Sequence, residues 1–159
     1  MQVKARHHLR SDEIRDLRET IAAQTGVDLG GEAFEKVDLS DTRFDIVLVD
    51  GDPAVMYVDG DPYLTVTGAN SHEPTDHVVT VDSGAVSFVS GGADVMRPGI
   101  VDADEHIAEG DLVAIREETH GKVLAIGRAL VPGSEMLGDS GKVVESVHHV
   151  GDDLFELSI

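Results

Sequence analysis

Between Phe88 and Ile100 the chain reads FVSGGADVMRPGI, the stretch with the most chemistry to offer. Gly91 and Gly92 lack a Cβ, so a ligand could approach the backbone closely there. Ala93 keeps the surface small. Asp94 could accept hydrogen bonds from base amino groups or hydroxyls, and Met96 offers a polarizable apolar contact. Arg97 is suited to grip a phosphate or stack on a base. Pro98 and Gly99 fix the exit of the loop, which lowers the entropy lost on binding. The plainer alternative is that the glycines stop a helix, Met96 is core and Pro98-Gly99 is a turn. Val95 and Ile100 are assigned to the core. Lys122 and Arg128, six residues apart on one expected strand, share a face. With Arg97 they would form a short basic track; the alternative is two scattered surface cations.

Other chemistries find no support in the residue pattern. There is no Cys, which removes disulfides and thiolate metal sites. His7-His8 and His148-His149 are adjacent pairs, which on a strand point to opposite faces, and no metal or cofactor is expected. Asp50, Asp52, Asp59 and Asp61 lack the closing Glu of a twelve-residue calcium loop, so they read as turn residues. No nucleophile elbow, phosphate loop or dinucleotide fingerprint occurs, and no enzymatic activity is expected.

Thirty-one acidic residues face twelve basic ones, for a net charge of −19. The acid is spread evenly, with about −9 before residue 76 and −10 after it. A Lys-poor, uniformly acidic surface over a normal apolar pattern suits a salt-loaded cytoplasm, where the Debye length shrinks to about 3 Å at 1 M. An acidic protein with no nucleic-acid partner is the competing reading. The first ten residues lack an apolar signal core, and no run approaches the roughly 20 residues of a membrane helix. A cytoplasmic protein without membrane contact is expected.

The elements that must position these residues follow from periodicity. Residues 11–25 predict a helix, capped by Ser11 and ended by Gly26, with Ile14, Leu17, Ile21 and Ala22 on one face. Residues 30–43 fit either a short helix or an irregular connection. Strands are expected at Phe44–Val49, Ala54–Val58 and Tyr63–Thr67, joined by the hairpin signals Asp50-Gly51 and Asp59-Gly60. Residues 68–76 read as a polar linker and the boundary between two domains, 1–75 and 76–159. The second part predicts a strand at His77–Val81 and a short helix capped by Asp82 or Ser83. Further strands are expected at Asp111–Glu117, Lys122–Val131, Lys142–Val150 and Leu154–Ile159, with a helical turn at Ser134–Gly138. Short strands at this spacing suggest a barrel or sandwich.

VDSGAVSFVSGGADVMRPGI, then GDLVAI, KVLAIGRALV and GKVVESVHHVGDDLFEL, resembles the PUA domain, the RNA-binding module named after pseudouridine synthases and archaeosine transglycosylases. The helix and β-meander before it resemble the pre-PUA domain of the malignant-T-cell-amplified-sequence translation factor family. The resemblance implies an α+β fold, a pre-PUA α/β domain followed by a PUA β-pseudobarrel. It implies a non-enzymatic RNA binder of translation, whose partner is structured RNA, either tRNA or rRNA. Such a protein would contact the small ribosomal subunit during initiation or recycling, with any translation-factor partner supplied as a separate protein. The alternative is an accessory module for a transglycosylase or pseudouridine synthase. A protein scaffold that has lost RNA binding is a third reading. Only the Gly91–Gly99 loop and its flanking strand carry over as a binding surface.

Overall fold

Asp50-Gly51 and Asp59-Gly60 turn the chain as expected. All four residues have positive φ (50°, 89°, 51° and 90°), the signature of a type I′ hairpin turn. They link β3 (Phe44–Val49), β4 (Asp52–Val58) and β5 (Asp61–Leu64) into an antiparallel meander. In the computed structural model, which describes residues 1–158, two further strands extend this sheet. They are β1 (Val3–His8) and β2 (Phe34–Leu39), giving the order β1-β2-β3-β4-β5. Neither strand was expected, since β1 is exposed throughout and shows no apolar alternation. The segment 30–43, read as a helix or an irregular connection, holds β2 instead.

Helix α1 (Ser11–Thr25) buries Leu17 and Ile21 and ends at Gly26 in the left-handed conformation. Its cap differs from the expectation. Arg10 occupies the N-cap, and the Glu13 carboxylate accepts the Arg10 amide at 3.0 Å, so Ser11 is already helical.

The expected third strand stops at Leu64, because Thr65 begins a helix. Its hydroxyl accepts the Gly68 amide at 2.9 Å and caps α2 (Val66–His72). The stretch 68–76, read as a linker, is therefore helical through His72 and buried at Gly68 and Ala69. A Cβ on Gly68 would run into the Ala54 carbonyl, so only glycine lets α2 lie this close to β4.

The second sheet has the order β7-β11-β10-β9-β6-β8. Its strands are β6 (Val78–Val81), β7 (Val95–Met96), β8 (Ile100–Ala103), β9 (Leu112–Glu117), β10 (Val123–Ala129) and β11 (Lys142–His149). The outermost strands β7 and β8 follow each other in the chain, separated only by the 3-10 turn Arg97–Gly99. The sheet thus closes on itself as a pseudobarrel, and the Arg-Pro-Gly stretch is its closure. Inside lie Val79, Val81, Val95, Ile115, Ala125 and Val144. The helical turn near residues 134–138 forms at Gly133–Glu135. No strand forms over residues 154–158, which begin in turns and bury only Leu154; Ile159 lies outside the described residues.

The two sheets share one core. Val78, Leu112, Ala114, Val123 and Ile126 pack with the side chains of α1, α2 and β2–β5. The Asn70 side chain accepts the Val123 amide at 2.8 Å and donates to the Val123 carbonyl at 3.0 Å, completing the end of β10 from the other half.

Candidate nucleic-acid interface

Asp82 builds the entrance to the site. Its carboxylate accepts the Ala85 amide at 3.0 Å and starts a 3-10 turn that runs into α3 (Val86–Ser90). The glycine pair then stops α3: the Gly91 amide donates to Ser87 and Phe88, that of Gly92 to Val89, and that of Ala93 back to Phe88. These N–H groups are spent inside the loop and do not serve as donors to a ligand. Glycine is required at Gly92, where φ is +93° and a Cβ would stand 2.8 Å from the His149 ring. His149 braces the loop from below through Nδ1, within 3.0 Å of the Ser90 carbonyl.

What the loop does present is a groove of about 450 Å³. Ala93, Asp94, Met96, Pro98 and Gly99 line it, with Phe88 and Asp82 on the facing side. Phe88 is 68% exposed and Met96 48%, so both stand out as apolar surface rather than core. Val95 and Ile100 are buried, as expected. Residues 82–99 supply the whole lining, and the N-terminal half does not cover it.

Asp94 has a second task. Its Oδ1 accepts the Ser146 amide at 2.8 Å and its Oδ2 lies 3.4 Å from the Lys142 ammonium, which pins the loop to β11. Arg97 turns away from the groove. Its Nε donates to the Glu135 carbonyl at 2.8 Å and its Nη1 to that of Ser140 at 3.0 Å. The guanidinium edge suited to a bidentate phosphate is therefore occupied.

The expected basic track does not form. Lys122 and Arg128 both reach the seam between the halves, but in separate clefts at opposite ends of β9, marked by Arg116 and Leu112. Arg128 donates to the Gly110 carbonyl at 2.8 Å and to Asp61 at 3.3 Å, and the bulges on either side of β10 interrupt simple alternation. Phe88 is the residue sequence reasoning missed. An aromatic in a five-residue helix reads as core, and only its position on the rim reveals otherwise. Among the described residues no cluster of three metal-ligating side chains occurs, and no helix is long and apolar enough to cross a membrane.

The groove offers apolar faces and carboxylate acceptors, with no cation in its lining. That suits bases and ribose hydroxyls better than phosphates.

Comparison with known proteins agrees with this geometry. The family described as PUA domain matches residues 77–151. An uncharacterised protein of Methanocaldococcus jannaschii is 42% identical over 113 residues, which is 70% of each chain. Translation machinery-associated protein 20 of Saccharomyces cerevisiae is 34% identical over 88 residues, 51% of this chain and 49% of that one, so the chain spans about half of the yeast protein's length. Archaeosine synthase of Haloferax volcanii is 34% identical over 137 residues, 80% of this chain but 22% of that enzyme. Among solved structures, a conserved PUA domain protein from Thermoplasma acidophilum superposes with a TM-score of 0.81 at 28% identity, covering 96% of this chain and 98% of that one. The chain belongs to the PUA-domain proteins, its six-stranded second sheet being the PUA pseudobarrel.

Proposed function

We propose that this protein binds structured RNA through the Phe88–Gly99 groove and acts in translation, on transfer RNA or the RNA of the small ribosomal subunit. One observation carries the reading. A PUA pseudobarrel presents an open, apolar groove with Phe88 on its rim, uncovered by the other half. Phe88 and Met96 together expose apolar surface in one groove, the kind of patch that marks an interaction site, and a base face is a good partner for it. The likeness to a translation machinery-associated protein supports the setting. Gly91, Gly92 and Arg97 shape the groove, while Ala93, Asp94, Met96, Pro98 and Gly99 touch the RNA.

The test is binding of an in-vitro transcribed transfer RNA, by anisotropy in KCl from about 0.1 to 1 M. Wild type binds, and Phe88→Ala weakens binding by about 5- to 100-fold, the worth of one stacked base. Because Phe88 is 68% exposed, the variant keeps the wild-type melting temperature to within a few degrees. Equal affinity of wild type and Phe88→Ala would count against the groove. Absence of binding by wild type to both transfer RNA and small-subunit RNA would end the reading.

A second reading, an RNA-binding module serving a modification enzyme, draws on the likeness to archaeosine synthase across 80% of this chain. Crosslinking in native high-salt lysate separates the two. Ribosomal subunits or initiation factors recovered with the protein favour the first, and a transglycosylase or pseudouridine synthase the second.

A further inference from the structure

The groove lacks a cation, yet RNA brings one negative charge per nucleotide. Eight of the twelve Lys and Arg side chains lie within 4.0 Å of a carboxylate: Arg6, Arg10, Arg15, Arg18, Lys36, Arg43, Arg128 and Lys142. Among the described residues, Lys4, Arg97, Arg116 and Lys122 have no such partner. In so acidic a chain an unpaired cation is the exception, and two of these four line one cleft.

That cleft, of about 580 Å³, opens at the seam between the end of α2 and the β9–β10 hairpin. Arg116 and Lys122 lie on the hairpin side with the imidazole of His120, and Glu73 is the carboxylate in the lining. Arg116 is held in place, while Lys122 is exposed. Thr80 Oγ1 accepts Arg116 Nε at 3.0 Å, which orients the guanidinium and leaves both Nη groups to donate. The Glu117 carboxylate of the hairpin is engaged by its own turn, accepting the amides of His120 at 2.6 Å and Lys122 at 3.1 Å. Asn70 fixes the floor through its two bonds to Val123.

Strand β6, itself buried, runs from the cleft toward the groove. Val78 lines the cleft, Thr80 holds Arg116 and Asp82 lines the groove. Those are alternate residues, so Val78 and Asp82 stand about 13 Å apart at a strand rise near 3.3 Å per residue. A strand whose base sits against Phe88 therefore reaches the cleft within a few nucleotides.

We propose that the seam cleft is a phosphodiester site for the same RNA, with Arg116 and Lys122 gripping its backbone. This rests on the RNA-binding reading above. It divides the work: the groove meets bases and sugars, and the cleft meets phosphates.

The experiment is the salt dependence of transfer RNA binding. For single strands, log K against log salt falls with a slope of about −0.7 per phosphate contacted. Arg116→Gln combined with Lys122→Gln should flatten the slope by about 1.4 and lower affinity at 0.1 M KCl by 10-fold or more, the loss shrinking at 1 M. Phe88→Ala should lose affinity at every salt concentration with its slope unchanged. Lys122→Gln alone, on an exposed side chain, should flatten the slope by about 0.7 and guards against misfolding of the double variant. If wild type binds no RNA, both proposals fall. If Phe88→Ala weakens binding while both Gln variants keep the wild-type slope, only the cleft proposal falls. A double variant with an unchanged RNA isotherm that no longer binds a polyglutamate peptide would assign the cleft to an acidic protein segment and overturn the proposal.

Discussion

Replacing Asn70 by Ala removes a side chain that completes the β10 backbone from the opposite half. Two hydrogen bonds disappear, from the Val123 amide at 2.8 Å and to the Val123 carbonyl at 3.0 Å. Val123 is 3% exposed, so both groups face a mostly dry environment once Asn70 is gone. A hydrogen bond is worth about 0.5–1.5 kcal/mol net, and a buried group left unpaired costs about 1–3 kcal/mol. The neighbouring cleft lets water reach part of the gap, which places the loss near 2–4 kcal/mol. For a chain of 159 residues each kcal/mol lowers the melting temperature by about 2–4 °C. Asn70→Ala should thus melt about 5–15 °C below wild type, followed by circular dichroism. Asn70→Asp keeps an acceptor for the Val123 amide and loses the donor, so it should fall between the two. An Asn70→Ala protein that melts within 1–2 °C of wild type would show that water replaces the amide fully and that these two bonds do not hold the seam.

Gly92→Ala forces a left-handed residue and a Cβ against the His149 ring, and should cost about 1–3 kcal/mol in denaturant unfolding. Gly91→Ala is the control, with an ordinary φ of −87° and its Cβ 3.3 Å from the Ser87 carbonyl; equal losses would refute the argument. Burial alone would push the Asp152 carboxyl up, but hydrogen bonds from His148 Nδ1 and the His149 and Phe155 amides hold it below its usual range. Because the folded carboxyl gives up its proton more readily than the unfolded one, its stabilisation is complete above the ordinary carboxylate value and is lost as pH falls through the folded one. Asp152→Asn should be less stable than wild type at pH 7 and should show a shallower decline from pH 5 to pH 2.5; parallel acid limbs would contradict this. With a net charge of −19, raising KCl from about 0.1 to 1 M should raise the melting temperature by several degrees as self-repulsion is screened, and a fall would argue against salt adaptation.

Turns and apolar alternation were legible residue by residue. The Asp-Gly pairs place β3, β4 and β5, because left-handed backbone at both central positions is a local requirement. The cores of β9 and β10 follow from the apolar runs Leu112–Ile115 and Val123–Ile126, and Asp82 caps its turn as its short carboxylate should. Strand β1 was not legible. It lies at the edge of its sheet with every side chain exposed, so nothing in its own composition asks for extended structure. Helix α2 was hidden in Val-Thr-Gly-Ala-Asn-Ser-His, a polar and glycine-bearing stretch that becomes helical by packing on β4 and bonding to β10.

The candidate site divides in the same way. By itself the sequence determined that a short helix ends at Gly91-Gly92 and that the chain turns again at Pro98-Gly99, because glycine, proline and Asp capping act within a few residues. It also determined the charge against which any nucleic acid must bind. Only the tertiary structure decided which groups of that loop face outward. The amides of Gly91 and Gly92 and the edge of Arg97 are consumed by neighbours, while Phe88 and Met96 are left in the open. The cleft that Arg116 and Lys122 line was likewise settled by the fold, since it needs their hairpin and a helix from the other half to arrive at one place. Local rules specify backbone shape; the direction in which a side chain points is set by contacts far away in the chain.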